Sequence, residues 1–202
     1  MITNSFKNTI SNEEINELPL VKFEGNIHII QDSRVLKKAL KILEKKKILG
    51  FDTETKPSFK KGKKNNVALL QLSTCKDAYL FRLNYMGLPE ELACFLENHS
   101  IAKVGAAIKD DLKELQHLRK FEANNFIDLQ KFVKDFGIEN NGLKKMSAII
   151  LHKRISKSQQ TSNWENNPLT QAQINYAATD AWICFEIYNK LISMNNHPVL
   201  IK

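Results

Sequence analysis

The 202-residue chain has no glycine-rich phosphate loop: neither GxGxxG nor GxxxxGK[ST] occurs, which argues against the nucleotide-binding enzymes built on those loops. Its cysteines, Cys75, Cys94 and Cys184, are odd in number and widely spaced, with no CxxC pair, so neither a disulfide framework nor a thiolate zinc site is expected. A reducing compartment is the simplest inference. The five histidines, His28, His99, His117, His152 and His197, lack metal-ligand spacing as well. No stretch approaches the roughly 18 consecutive apolar residues that a membrane span needs. The opening MITNSFKNTISNEEINELPL has no basic flank, apolar core or small-residue cleavage site, so a soluble, cytoplasmic protein is expected. Internal repeats and low-complexity linkers are missing too, which argues for one domain.

What is present fits such a domain. Hydrophobic residues make up 43% and charged residues 26%, enough at this length to bury a core without staples. Thirty basic against twenty-two acidic residues leave a net +8, which favours a polyanionic partner without naming it. Residues 1–24 are polar and weakly periodic and read as a tail or loosely docked arm; 25–195 read as the catalytic domain, and 196–202 as a second tail. NIHII, ILGFDTET, VALLQLST, DAYLF, IAKVGAA and NFIDL read as strands. VLKKALKILEKKK, PEELACFLENH, IKDDLKELQHLRKF, LQKFVKDFG and GLKKMSAIIL read as helices. A capping-box pattern from Thr170 to Gln173 opens a long final helix. Strands interleaved with helices predict an α/β domain.

Three sites carry candidate chemistry. Asp52 and Glu54 in FDTET are two apart on an otherwise apolar strand, so both point to one face. Crowded, poorly hydrated carboxylates demand a compensating cation, and a hard divalent ion is the natural one. Taken alone, the pair also fits a strand end reaching solvent. Tyr176 and Asp180 in NYAATDAW stand one helical turn apart, among Ala177, Ala178 and Ala181, which would let this helix approach a sheet closely. A tyrosine at the core edge beside a locally bonded aspartate is the plain alternative. Asp110 and Asp111 begin the helix after IAKVGAA, and spacing does not choose between them. The Lys-rich loop KPSFKKGKKNN beside FDTET offers Lys56, Lys60, Lys61, Lys63 and Lys64 for a nucleic-acid backbone, with Phe59 to stack on a base. Lys153 and Arg154, with Lys157, form a second basic stretch that would flank the same groove.

With FDTET and VALLQLST, KVGAAIKDDL, and WENNPLTQAQINYAATDAW, the chain resembles the DEDD 3′-to-5′ exonucleases of the ribonuclease-H-like fold over about residues 26 to 193. The resemblance is to the tyrosine subgroup that includes ribonuclease D and the Werner-type exonuclease domain; the residue at which the histidine subgroup would carry its His is Asn175. It implies a three-layer fold with a mixed central sheet flanked by helices. It also implies a catalytic set of Asp52, Glu54, Asp111, Tyr176 and Asp180, in which the four acids hold two Mg²⁺ or Mn²⁺ ions and the tyrosine orients the attacking water. The implied substrate is DNA or RNA with a free 3′ end, and the products are nucleoside 5′-monophosphates. A nucleic-acid-binding module with this fold and weak or partner-dependent cleavage is the alternative. DNA against RNA preference is not legible, since recognition of the 2′-OH depends on geometry.

Overall fold

The structure is a computed structural model that describes residues 6–58, 62 and 64–195. Its centre is a six-stranded sheet built from β1 (Asn26–Ile30), β2 (Ile48–Thr55), β3 (Val67–Ser73), β4 (Asp77–Arg82), β5 (Ala102–Gly105) and β6 (Phe126–Asp128). The strand order is β1-β4-β3-β2-β5-β6. β3 runs antiparallel to both neighbours and the other pairs are parallel, so the sheet is mixed, as expected. All seven residues of β3 are buried, because helices cover both faces of the sheet.

One covering layer holds α2 (Ser33–Leu43), α4 (Glu90–Glu97) and α5 (Ile108–Leu118). α2 starts where the Asp32 carboxylate accepts the N–H groups of Arg34 and Val35, two donors that no helical carbonyl reaches. Its buried Leu36, Ala39, Leu40 and Leu43 recur at helical spacing and pack into the cluster that contains Phe51 and Leu70. Burial of each leucine contributes about 2 kcal/mol. α3 (Leu83–Met86) is a single turn after β4.

The other layer holds α7 (Leu143–Leu151) and α8 (Gln171–Asn195). The predicted capping box is formed: the Gln173 N–H donates to Thr170 Oγ1 at 3.2 Å, and the Thr170 N–H donates to Gln173 Oε1 at 3.0 Å. α8 lies close on β2, since a Cβ at Gly50 would collide with the Ala181 carbonyl oxygen, and Ala177, Ala178 and Ala181 are fully buried. The small residues foreseen in the sequence thus do set the helix against the sheet. No helix of the described residues is long and apolar enough to cross a membrane.

Three local readings change. LQKFVKDFG is not one helix: α6 (Leu129–Phe132) tightens into a 3₁₀ turn over Val133–Phe136, which ends on Gly137 at φ 72°. IAKVGAA is strand only to Gly105, after which Ala107, at φ 60°, turns the chain into α5. The segment before β1 is firmly docked from residue 6 onward. Ser11 caps α1 (Asn12–Asn16) with a reciprocal capping box, Ile15 is fully buried and Phe23 nearly so. Backbone hydrogen bonds from Val21 to Arg154 and from Arg154 to Pro19 fasten the arm beside α8. Its two anchors, Ile15 and Phe23, share no single helical or strand period with the apolar Leu18, Leu20 and Val21 between them, so the pattern does not announce them. Residues 196–202 lie outside the described residues.

Candidate metal centre

Asp52 and Glu54 project from the face of β2 that meets α8, and Asp180 descends from α8 onto the same spot. One carboxylate oxygen of each lies within 4.8 Å of the others. Asp180 is buried, and its Oδ1 has no hydrogen-bond partner. A buried acceptor left unpaired costs about 1–3 kcal/mol unless something supplies positive charge. Burial raises all three acids. Asp52 is driven well above the usual carboxylate range by desolvation, then by the charges of Asp180 and Asp111. Glu54 is pushed up to about 10 by desolvation and by Asp52, Asp180 and Asp111. Asp180 rises to about 7 by desolvation, although a hydrogen bond from Tyr176 and the charge of Lys157 pull it back.

Asp111, rather than the exposed Asp110, is the acid of α5 that turns inward. It stands outside the three-oxygen group and is held by Thr53, whose hydroxyl donates to its Oδ1 at 2.5 Å. Burial raises its carboxyl and this hydrogen bond opposes the rise. The structure therefore gathers Asp52, Glu54 and Asp180 and sets Asp111 at their margin, near enough to act on the charges of Asp52 and Glu54. Tyr176 bonds Asp180 one turn away and packs its ring 5.9 Å from that of the fully buried Trp164. Its phenol is raised above its usual range by burial and by the Asp180 and Glu54 charges, so it stays protonated at neutral pH.

Asp52, Thr53, Glu54, Tyr176 and Asp180 line a pocket of about 240 Å³. Lys144 at the start of α7, together with Lys157 and Gln160 from the loop before α8, closes its far side. Lys144 escaped the sequence reading, since only the fold brings the start of α7 here. So did Gln71, which faces Asp52 across the β2–β3 ladder, fully buried with neither amide atom hydrogen-bonded. Its position opposite Asp52 is set by the β2–β3 register, which the sequence does not encode. A larger cavity of about 710 Å³ adjoins the pocket through Ser156, Tyr176 and Asp180 and is walled by residues 20–25 of the arm.

The basic residues are divided by the fold. Lys153 lines the larger cavity with its ammonium 6.0 Å above the Trp182 ring. Arg154 turns its Nε to the Leu18 carbonyl, so its side chain clamps the arm. Lys56 pairs with Glu165 at 2.8 Å and Lys64 with Glu114 at 3.1 Å. Phe59, Lys60, Lys61 and Lys63 lie outside the described residues. Cys75 and Cys94 are exposed and free, and Cys184 is a buried thiol whose ionisation is suppressed by desolvation.

Acids this crowded, with one orphaned oxygen and only oxygen donors, fit a hard divalent cation. Comparisons with known proteins agree with the chemistry. Residues 27–195 match the model of the 3′-5′ exonuclease family. The bifunctional 3′-5′ exonuclease/ATP-dependent helicase WRN of Mus musculus is 35% identical over 190 residues, covering 86% of this chain and 13% of that protein. Exonuclease 3′-5′ domain-containing protein 2 of Drosophila melanogaster is 37% identical over 149 residues, covering 72% of this chain and 25% of that protein. The chain thus spans a small part of those relatives. Among solved structures, the Nibbler EXO domain of Aedes aegypti superposes with a TM-score of 0.76 at 27% identity, covering 86% of this chain and 90% of that one. Escherichia coli RNase D, at 22% identity and a TM-score of 0.75, shares the ribonuclease-H-like fold over 85% of this chain and 45% of that one. Sheet, carboxylate group and sequence likeness converge on one assignment: the chain belongs to the 3′-5′ exonuclease family.

Proposed function

We propose that the chain removes nucleotides one at a time from the 3′ end of a DNA or RNA strand, by a two-metal-ion hydrolysis that releases nucleoside 5′-monophosphates. The single observation that carries this reading is the convergence of Asp52, Glu54 and Asp180 with the unpaired Asp180 Oδ1. Asp52, Glu54 and Asp180 would hold one Mg²⁺ or Mn²⁺ ion, and Asp52 with Asp111 the other. When bound, such ions neutralise charge at phosphorus and make water a competent nucleophile near neutral pH.

The chain's own groups set the rest. Tyr176, protonated and anchored to Asp180, orients the attacking water by hydrogen bonding and does not act as a strong base. Thr53 fixes Asp111 for its ion. Lys157 and Lys144 bring positive charge to the pocket wall, where a phosphate would sit. Water adds to phosphorus, the bond from phosphorus to the upstream O3′ breaks, and that oxygen leaves with a proton as the new 3′ end. The test uses Asp52→Ala protein and a strand labelled at its 5′ end, with Mg²⁺ or Mn²⁺. The variant should bind the strand without shortening it, whereas the wild type yields a ladder and monophosphates. Degradation at the wild-type rate by the variant would overturn the proposal.

A further inference from the structure

We propose that the solvent face of α2 is a second nucleic-acid contact, a docking strip for the phosphodiester backbone separate from the carboxylate pocket. Between residues 34 and 47 the chain carries seven Lys or Arg against one acid, Glu44, so 7 − 1 = +6 of its net +8 is concentrated there. Helical geometry orders this charge. At 100° per residue, Arg34, Lys38, Lys41 and Lys45 fall at i, i+4, i+7 and i+11 on one line, directly opposite the buried Leu36, Leu40 and Leu43. The turn persists past the end of α2, because the N–H groups of Glu44, Lys45 and Lys46 still bond to Leu40, Ile42 and Leu43. The four cations therefore form a straight, exposed row about 16 Å long, enough to meet several phosphates.

The row is also unspent. Among the described residues Lys37 alone on this helix has an ion-pair partner, Glu91 at 3.7 Å, and it lies beside the row. Lys56 and Lys64, by contrast, are each held by a glutamate next to the candidate metal centre. An anionic bilayer suits the strip less well. The apolar stripe of α2 is buried in the core, and only Val35 and Ile42, 37% and 48% exposed, flank the cations, which leaves no apolar face to insert.

This inference rests on the reading of the chain as a nucleic-acid enzyme. α2 lies in the layer opposite α8, so a strand engaging both the strip and the pocket must pass round the sheet, and only a long strand can do so. For a short strand the strip offers only its own few phosphate contacts, weak by themselves, whereas a long strand held at the pocket gains them by multivalency.

The test is Lys38→Gln/Lys41→Gln/Lys45→Gln full chain, whose substitutions are all at the surface, with circular dichroism to confirm the fold. Fluorescence anisotropy in chelator is measured over a salt series with a labelled single strand of about 30 nucleotides and with a hexanucleotide. The variant should bind the long strand about tenfold or more weakly, with a log K against log salt slope shallower by about 2 to 3. Hexanucleotide binding, and its hydrolysis with Mg²⁺, should not change. Unchanged long-strand binding would overturn the proposal, as would an equal loss on the hexanucleotide. Tighter binding of wild-type protein to phosphatidylserine vesicles than to the long strand would overturn it in favour of a membrane. If wild-type protein leaves the hexanucleotide intact, the exonuclease mechanism fails, while anisotropy still decides the strip.

Discussion

Neutralising one acid of the candidate metal centre should stabilise the metal-free protein while abolishing its activity. Two unit charges 4.8 Å apart, at an effective dielectric of about 20, repel by about 3.5 kcal/mol. The cluster escapes part of this by taking up protons, as the rise of Asp180 to about 7 and of Glu54 to about 10 indicates. Proton uptake has its own cost at pH 8, so Asp52→Asn, which keeps the shape and removes the charge, should add about 2 kcal/mol. For a chain of this size that raises Tm by about 4–8 °C.

The pH dependence has a definite sign. These acids have higher pKa values folded than unfolded, so the folded state binds more protons and stability falls as pH rises from about 4 through 7 toward 10. Differential scanning calorimetry in chelator at pH 8 should show the Asp52→Asn gain, and at pH 5 the gain should shrink, because the folded cluster is already neutral there. Mg²⁺ or Mn²⁺ should raise the wild-type Tm and leave the variant almost unmoved. A variant that melts below wild type in chelator at pH 8 would refute the claim that these carboxylates are held together against their own repulsion.

Two further substitutions probe the supports of the site. Gly50→Ala should lower stability by about 1–3 kcal/mol in denaturant unfolding and reduce kcat more than Asp52-independent strand binding, because the added methyl pushes α8, with Tyr176 and Asp180, off β2; an unchanged melting curve would show that the contact can relax. Thr53→Val removes the donor that holds down the Asp111 carboxyl, so the acid limb of the pH–rate profile should move upward and metal should bind more weakly, which titration at several pH values would detect.

Much of this was written locally in the chain. The alternation in FDTET put Asp52 and Glu54 on one face, and the Thr170 to Gln173 pattern gave the start of α8, because strand period and helix caps act between near neighbours. What escaped depends on contacts distant in sequence. The docking of Phe23 rests on an N–H bond to Thr179 Oγ1, 156 residues away. The Arg154 side chain reads as a nucleic-acid contact until Leu18 is seen to occupy it. Asp111 was placed correctly on its helix, but its offset from the other three acids follows from a hydrogen bond across the sheet end to Thr53, which spacing does not encode.

Tyr176 and Asp180 share a single long helix wedged against Gly50, so these two groups are geared together and travel as one piece with β2. The remaining walls, the loop bearing Lys157 and Gln160 and the start of α7 with Lys144, belong to other elements, so a substitution there reshapes the pocket without displacing Tyr176 relative to Asp180.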